Sequence, residues 1–98
     1  MKFISEATLD DFRTPGRCHV CGKYGPREPH HVFARGRGNA SRMDIPENLL
    51  AVCVECHASI HGGMYWRIYL LGLIGQREGL WPQDLELTLQ RLRNARKP

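Results

Sequence analysis

A chain of 98 residues holds one domain, spanning 1-98, whose apolar core is too small to be stable by burial alone, so some staple is expected. With 24% charged and 42% apolar residues the composition is that of a soluble globular protein, and no stretch is long enough to span a membrane. The formal charge is +4, carried overwhelmingly by arginine, whose planar fork suits phosphate, so the expected partner is an anion.

In chain order, Met1-Lys2-Phe3-Ile4-Ser5-Glu6 turns acidic before any apolar core develops, which reads as no secretory signal and predicts an intracellular, cytoplasmic protein. Residues 1 to 13 form a short, weakly amphipathic start that Thr14-Pro15-Gly16 breaks. Cys18-His19-Val20-Cys21-Gly22-Lys23 then predicts a knuckle, with Gly22 permitting a left-handed turn and His19 on its surface. An extended stretch ends near His31-Val32-Phe33, followed by the Gly-rich loop Arg35-Gly36-Arg37-Gly38-Asn39. Leu49-Leu50-Ala51-Val52 predicts a brief buried strand, giving a two-stranded ribbon.

From about Glu55 to His61 the pattern fits one or two helical turns, stopped by Gly62-Gly63. Met64 to Leu71 predicts a second helix, with Tyr65, Trp66 and Tyr69 in the core and the Gly72-to-Gly79 region thinning it out. If exposed instead, those aromatics would be a candidate dimer face. Trp81-Pro82-Gln83-Asp84 opens a third helix with Leu85, Leu89 and Leu92 along one face. Its tail of Arg91, Arg93, Arg96 and Lys97 has two readings, phosphate contact or opposition to the helix dipole, and the second is preferred.

Nine residues form one spaced pattern: Cys18-x-x-Cys21, His30-His31, Asn48, and Cys53-x-x-Cys56-His57-x-x-x-His61. Paired Cys-x-x-Cys spacing in a reducing compartment argues for a structural zinc ion on Cys18, Cys21, Cys53 and Cys56 rather than for disulfides. The long spacer between the pairs carries an insert, and His57 and His61 at i and i+4 can share a metal on one helical face. The result is a closed thiolate site beside an open imidazole site. The charge is uneven too, because Arg13, Arg17, Lys23, Arg27, Arg35, Arg37 and Arg42 lie between positions 13 and 42 with Glu28 as the only acid among them. Such a run is either a solvated face or a counterpart to a nucleic-acid backbone. Arg35, Arg37 and Arg42 are the candidate nucleic-acid-binding residues.

Over residues 18 to 61 the chain resembles the HNH nucleases with the ββα-metal fold, in their zinc-ribbon, four-cysteine version. The resemblance rests on the His30-His31 pair, on Asn48 before an apolar strand, and on His57 and His61 after Cys53-x-x-Cys56. It implies an α+β fold: a small ββα-metal core at 18-61 with a structural zinc site, and a C-terminal helical extension at 64-96. It also implies a metal-dependent endonuclease that hydrolyses DNA phosphodiester bonds. In that scheme His31 is the general base, Asn48 orients it, and His30, His57 and His61 bind the catalytic ion. A neutral imidazole suits the base, since its ordinary pKa of about 6.5 lies below cellular pH.

Many members of the family carry an aspartate where His30 stands, so the catalytic metal is left open among Zn2+, Ni2+, Mn2+ and Mg2+, with the all-imidazole set favouring the first three. Small stand-alone chains of the family are frequent in phages and mobile elements, which suggests a phage or bacterial setting. A monomer would cut one strand and a homodimer two. Blander readings stand beside these: His61 as an outer residue, Asn48 as a turn residue, and the whole chain as a non-catalytic zinc-ribbon nucleic-acid-binding module or recruitment subunit.

Overall fold

The computed structural model describes residues 4–33 and 43–95. Over these the chain is a small α+β fold of four α-helices and two antiparallel two-stranded sheets. Arg35, Arg37, Arg42, Arg96 and Lys97 lie outside the described residues. Among the described residues no helix is long and apolar enough to cross a membrane.

Helix α1 (Glu6–Arg13) begins where the Ser5 hydroxyl caps it, accepting from the Thr8 N–H at 3.2 Å. Arg13 in its last turn opposes the helix dipole and pairs with Asp10 at 2.7 Å. The helix buries Leu9 and packs on the two strands of the second sheet. Strands β1 (Gly16–Arg17) and β2 (Tyr24–Gly25) frame the first cysteine pair as a hairpin. Between them Gly22 has φ +80° and its N–H donates to Cys18 O at 2.9 Å, a backbone region that penalises any Cβ. The basic residues here serve the hairpin itself: Arg17 donates to Gly22 O at 3.1 Å, and Arg27 to Thr14 O at 2.7 Å and Arg17 O at 3.2 Å.

Strand β3 (Glu28–His31) pairs antiparallel with β4 (Leu49–Val52), setting Glu28 opposite Val52, Pro29 opposite Ala51, His30 opposite Leu50 and His31 opposite Leu49. Every residue of β4 is buried, as its unbroken apolar run requires. A 3-10 turn (Pro46–Asn48) leads into β4, and β4 leads through Cys53 into helix α2 (Val54–His61), one residue earlier than the pattern suggested. His19 is not a bare surface residue of the knuckle. Its Nδ1 accepts from the Ala51 N–H at 3.0 Å, its own N–H donates to Ala51 O at 2.8 Å, and its ring meets Phe12 edge-on.

The C-terminal half departs most from expectation. Helix α3 runs Arg67–Glu78, starting three residues later than Met64 and passing straight through Gly72 and Gly75 instead of thinning out there. Gly75 is buried where α3 turns toward helix α4 (Pro82–Ala95): a Cβ on it would lie 2.3 Å from Leu80 O. That glycine is a packing residue, not a breaker. Gly79, with φ +73°, ends the helix, and the Gly79 and Leu80 N–H groups both return to Gly75 O, a Schellman closure.

The shift also corrects the aromatic prediction. Trp66 is 78% exposed and Tyr69 47%, while Tyr65 stacks on Tyr69 and is the one of the three that packs against the core. Leu70, Leu71 and Ile74 of α3 meet Leu85 and Leu89 of α4, and Leu92 packs at their edge. Pro82 takes the first turn of α4, where its missing N–H costs nothing. Arg77 ties α3 to the second sheet: Nη1 donates to Leu49 O at 2.8 Å, Nη2 donates to Pro46 O, and the guanidinium lies over the Phe12 ring.

Candidate metal centre

Two clusters of ligand atoms meet helix α2 from its two ends. The first holds the Sγ atoms of Cys18, Cys21, Cys53 and Cys56, all within 4.8 Å of one another, and the second the ring nitrogens of His30, His57 and His61 within the same limit. Both sets lie within the nine-residue pattern, so their spacing in sequence translates into convergence in space.

The thiol cluster is set by two turns. Cys18 and Cys21 sit on the β1–β2 hairpin, and Cys53 is the N-cap of α2 with its sulfur accepting from the Cys56 N–H at 3.5 Å. All four cysteines are free thiols, and Cys21 and Cys53 sulfurs are 3.8 Å apart. A tetrahedral ion with bonds of about 2.3 Å to sulfur separates its ligands by about 3.8 Å, so the residues fit zinc. The four cysteines can therefore bind a structural metal such as zinc.

Their electrostatics are unequal. Burial alone would raise the Cys18 thiol, but N–H groups of Cys21, Cys53 and Val20 aimed at its sulfur bring it down to about 6. Cys56 is pushed up, first by burial and then by the hydrogen-bonding sulfurs of Cys53, Cys21 and Cys18. Four thiols this close cannot all ionise without a cation among them.

The imidazole cluster is more open: His30 is buried, His57 half-buried and His61 exposed. The Nε2 atoms of His57 and His61, one turn apart on α2, face each other at 3.0 Å, and His30 reaches in from β3 with ring centroids 5.4 and 5.5 Å away. On its other side, His57 Nδ1 lies 3.5 Å from Glu28 Oε2, a carboxylate that biases the ring toward the tautomer with Nε2 free to ligate. Burial, then the charges of His57, His61 and His31, lowers His30 to about 4, so it stays a neutral donor at ordinary pH. Three imidazoles with solvent on one side suit a borderline transition ion with an open coordination position.

Comparison with family models, with curated proteins and with solved structures found no match for this chain. The site must therefore be read from its own geometry.

His31 follows His30 on β3 but does not join the cluster. Its Nε2 lies 2.7 Å from Asp44 Oδ1, and the Asp44 side chain is fully buried. The other carboxylate oxygen, Oδ2, accepts from the Ser5 N–H at 2.8 Å, at the start of α1. Asp44 escaped the sequence reading. One signal was present: it is the sole acid between Glu28 and Glu47, flanked by Met43 and Ile45 in an otherwise basic insert.

Asn48 was expected to hold the His31 ring directly. In the fold its amide holds main chain instead: Oδ1 accepts from the Phe33 N–H at 2.7 Å, while Nδ2 donates to Met43 O at 3.1 Å and Phe33 O at 3.3 Å. It thus sets the segment that follows His31 and the residue that precedes Asp44. Any influence of Asn48 on His31 passes through those two segments. Of the basic candidates, none of the three arginines at 35, 37 and 42 falls within the described residues. Arg67, which was not singled out, lies over the Phe33 ring at 4.4 Å, two residues beyond His31 in the chain.

Proposed function

We propose that this chain is a metal-dependent endonuclease of the HNH type, with a ββα-metal core formed by β3, β4 and α2, hydrolysing phosphodiester bonds of DNA. The observation that carries this reading is the division of labour between neighbours on β3. His30 converges with His57 and His61, while His31 keeps apart and is anchored by a carboxylate. A zinc-ribbon binding module needs the cysteines but has no use for three converging imidazoles beside an anchored fourth.

His30, His57 and His61 would hold a divalent ion, whose chemistry when bound is to polarise the scissile phosphate and stabilise charge on the leaving 3′ oxygen. His31 acts as general base: it takes a proton from water, whose oxygen attacks phosphorus as the P–O3′ bond breaks. The products carry a 5′-phosphate and a 3′-hydroxyl. The four-cysteine site plays no part in this step. Its task is to hold the start of α2 against the β1–β2 hairpin, and α2 is the element that presents His57 and His61.

The test is cleavage of supercoiled plasmid by wild type and His31→Ala, each stripped at the imidazole site and refilled with magnesium, manganese, zinc or nickel. Nicking or linearisation is expected from wild type, with a loss of roughly 10²- to 10⁴-fold in the equally folded variant, the usual contribution of a general base. No cleavage with any ion, together with tight salt-sensitive DNA binding by both proteins, would replace the nuclease by the non-catalytic binding module.

A further inference from the structure

We infer that Asp44 is the positioning residue of His31, and that it does so from a seat built by the N-terminal helix. The inference rests on the reading of His31 as the base. It concerns which ring nitrogen is available to take the proton and what holds that nitrogen in place.

A carboxylate oxygen accepts hydrogen bonds, so the 2.7 Å contact between Asp44 Oδ1 and His31 Nε2 assigns the ring proton of the neutral imidazole to Nε2. The lone pair then belongs to Nδ1, and water meets the base at that atom. A histidine without such a partner exchanges between tautomers and rotates about its side-chain bonds. Either freedom lowers the fraction of time in which a lone pair faces water.

Asp44 is itself held from several directions. Its side chain is fully buried, so solvent does not compete for its oxygens. Oδ2 takes the Ser5 N–H at 2.8 Å, and Ser5 is fixed because its hydroxyl caps α1 on the Thr8 N–H and accepts from the Thr8 hydroxyl at 2.9 Å. On the other side Asn48 pins the Met43 carbonyl, one residue before Asp44. Three segments distant in sequence, the start of α1, Asp44 two residues before the 3-10 turn and the end of β3, thereby converge on one imidazole. The N-terminal helix, which carries none of the spaced motif, becomes part of the site.

The test reads the tautomer directly, by long-range ¹⁵N–¹H correlation of the histidine rings in zinc-filled protein near neutral pH, with His31 assigned by its loss in His31→Ala. Wild type is expected to show His31 as a single Nε2–H tautomer, and Asp44→Ala a mixture. In plasmid cleavage the same variant is expected to lose about tenfold or more in kcat, a share of what a general base supplies, with KM within about twofold. Its content of metal at both clusters should be unchanged. A wild-type His31 ring carrying its proton on Nδ1, or averaging between the two, would overturn the inference without any variant. So would an Asp44→Ala ring that keeps the Nε2–H tautomer. Should Asp44→Ala fail to fold, the isosteric Asp44→Asn takes its place with a different expected result. The Ser5 N–H keeps the amide oxygen, the NH2 group faces the ring, and the His31 proton moves to Nδ1, whereas a ring still protonated on Nε2 would overturn the inference. The spectrum does not depend on catalysis, so a fixed Nε2–H ring in a protein that cuts nothing would sink the nuclease reading and leave the positioning contact standing.

Discussion

The two ligand clusters share helix α2 and little else. The sulfurs gather at its N-terminal end, where Cys53 caps the helix and N–H groups of the two knuckles point at sulfur. The imidazoles gather toward its C-terminal end, where the negative end of the helix dipole favours a cation held by the rings. One cluster draws negative charge into a mostly buried pocket and closes four ligands around it. The other keeps three imidazoles with one flank open. The same short helix can thus carry a closed thiolate cluster and an open imidazole cluster, because its two ends offer opposite electrostatics.

The largest expected effect separates the clusters by stability. Cys56→Ser, or removal of zinc by a strong chelator, should unfold the domain, since structural zinc supplies an apparent binding free energy on the order of 10–16 kcal/mol that a core of this size cannot replace. His61→Ala, at an exposed ring, should leave the melting temperature within a few degrees while abolishing the second equivalent of bound metal. Circular dichroism on heating, alongside metal content by mass spectrometry, measures both. A cysteine variant that melts like wild type would end the assignment of separate roles.

How much of this was legible depended on the distance over which each residue acts. Cys18, Cys21, Cys53, Cys56, His57 and His61 act within a turn or knuckle, so their spacing alone brought them near their partners. The unbroken apolar run Leu49–Val52 announced a buried strand for the same local reason. Asp44 and Ser5 meet across 39 residues, and no local rule links them. Asn48 was visible as a residue but not its partners, because main-chain carbonyls have no sequence signature. Gly72 and Gly75 misled in another way. Two glycines in a helical window look like a breaker until a second helix is seen to need one of them, and the resulting shift of α3 moved Trp66 from an expected core position to the surface.

Acid should strike the imidazole cluster in a way that can be isolated. His30 sits at about 4 in the fold against about 6.5 in an unfolded chain, so the folded state binds fewer protons between those values. The contribution of a neutral His30 is complete above pH 6.5, declines as pH falls toward 4, and changes no further below that. Denaturant midpoints of metal-free imidazole site protein at pH 7.5, 6.0 and 4.5 should therefore fall in wild type and fall less in His30→Gln. Protonation of the thiolates is common to both proteins and cancels in the comparison. Equal slopes would mean that His30 is not held neutral by its surroundings.

The smallest effect asks whether the clusters depend on the C-terminal helices for position or only for stability. In Gly75→Ala the new methyl would start 2.3 Å from Leu80 O, closer than real Cβ contacts come, and the obstacle is backbone that also donates back to Gly75 O at 2.9 Å. Relief requires the α3–α4 elbow to open, costing about 1–3 kcal/mol, the usual range for overpacking a tight site. Gly72→Ala in the same helix meets nothing within 4 Å and should stabilise by up to about 1 kcal/mol through helix propensity. Because Arg77 of α3 grips the carbonyls of Pro46 and Leu49, any movement of α3 would pull on the strand that leads to Cys53. If the helices only brace the sheet, Gly75→Ala lowers the melting temperature while metal stoichiometry at both clusters stays at the wild-type value. A loss of metal from the imidazole cluster alone, at a temperature where the variant is folded, would show that the extension sets the register of β3 against β4, and with it the reach of His30 toward His57 and His61.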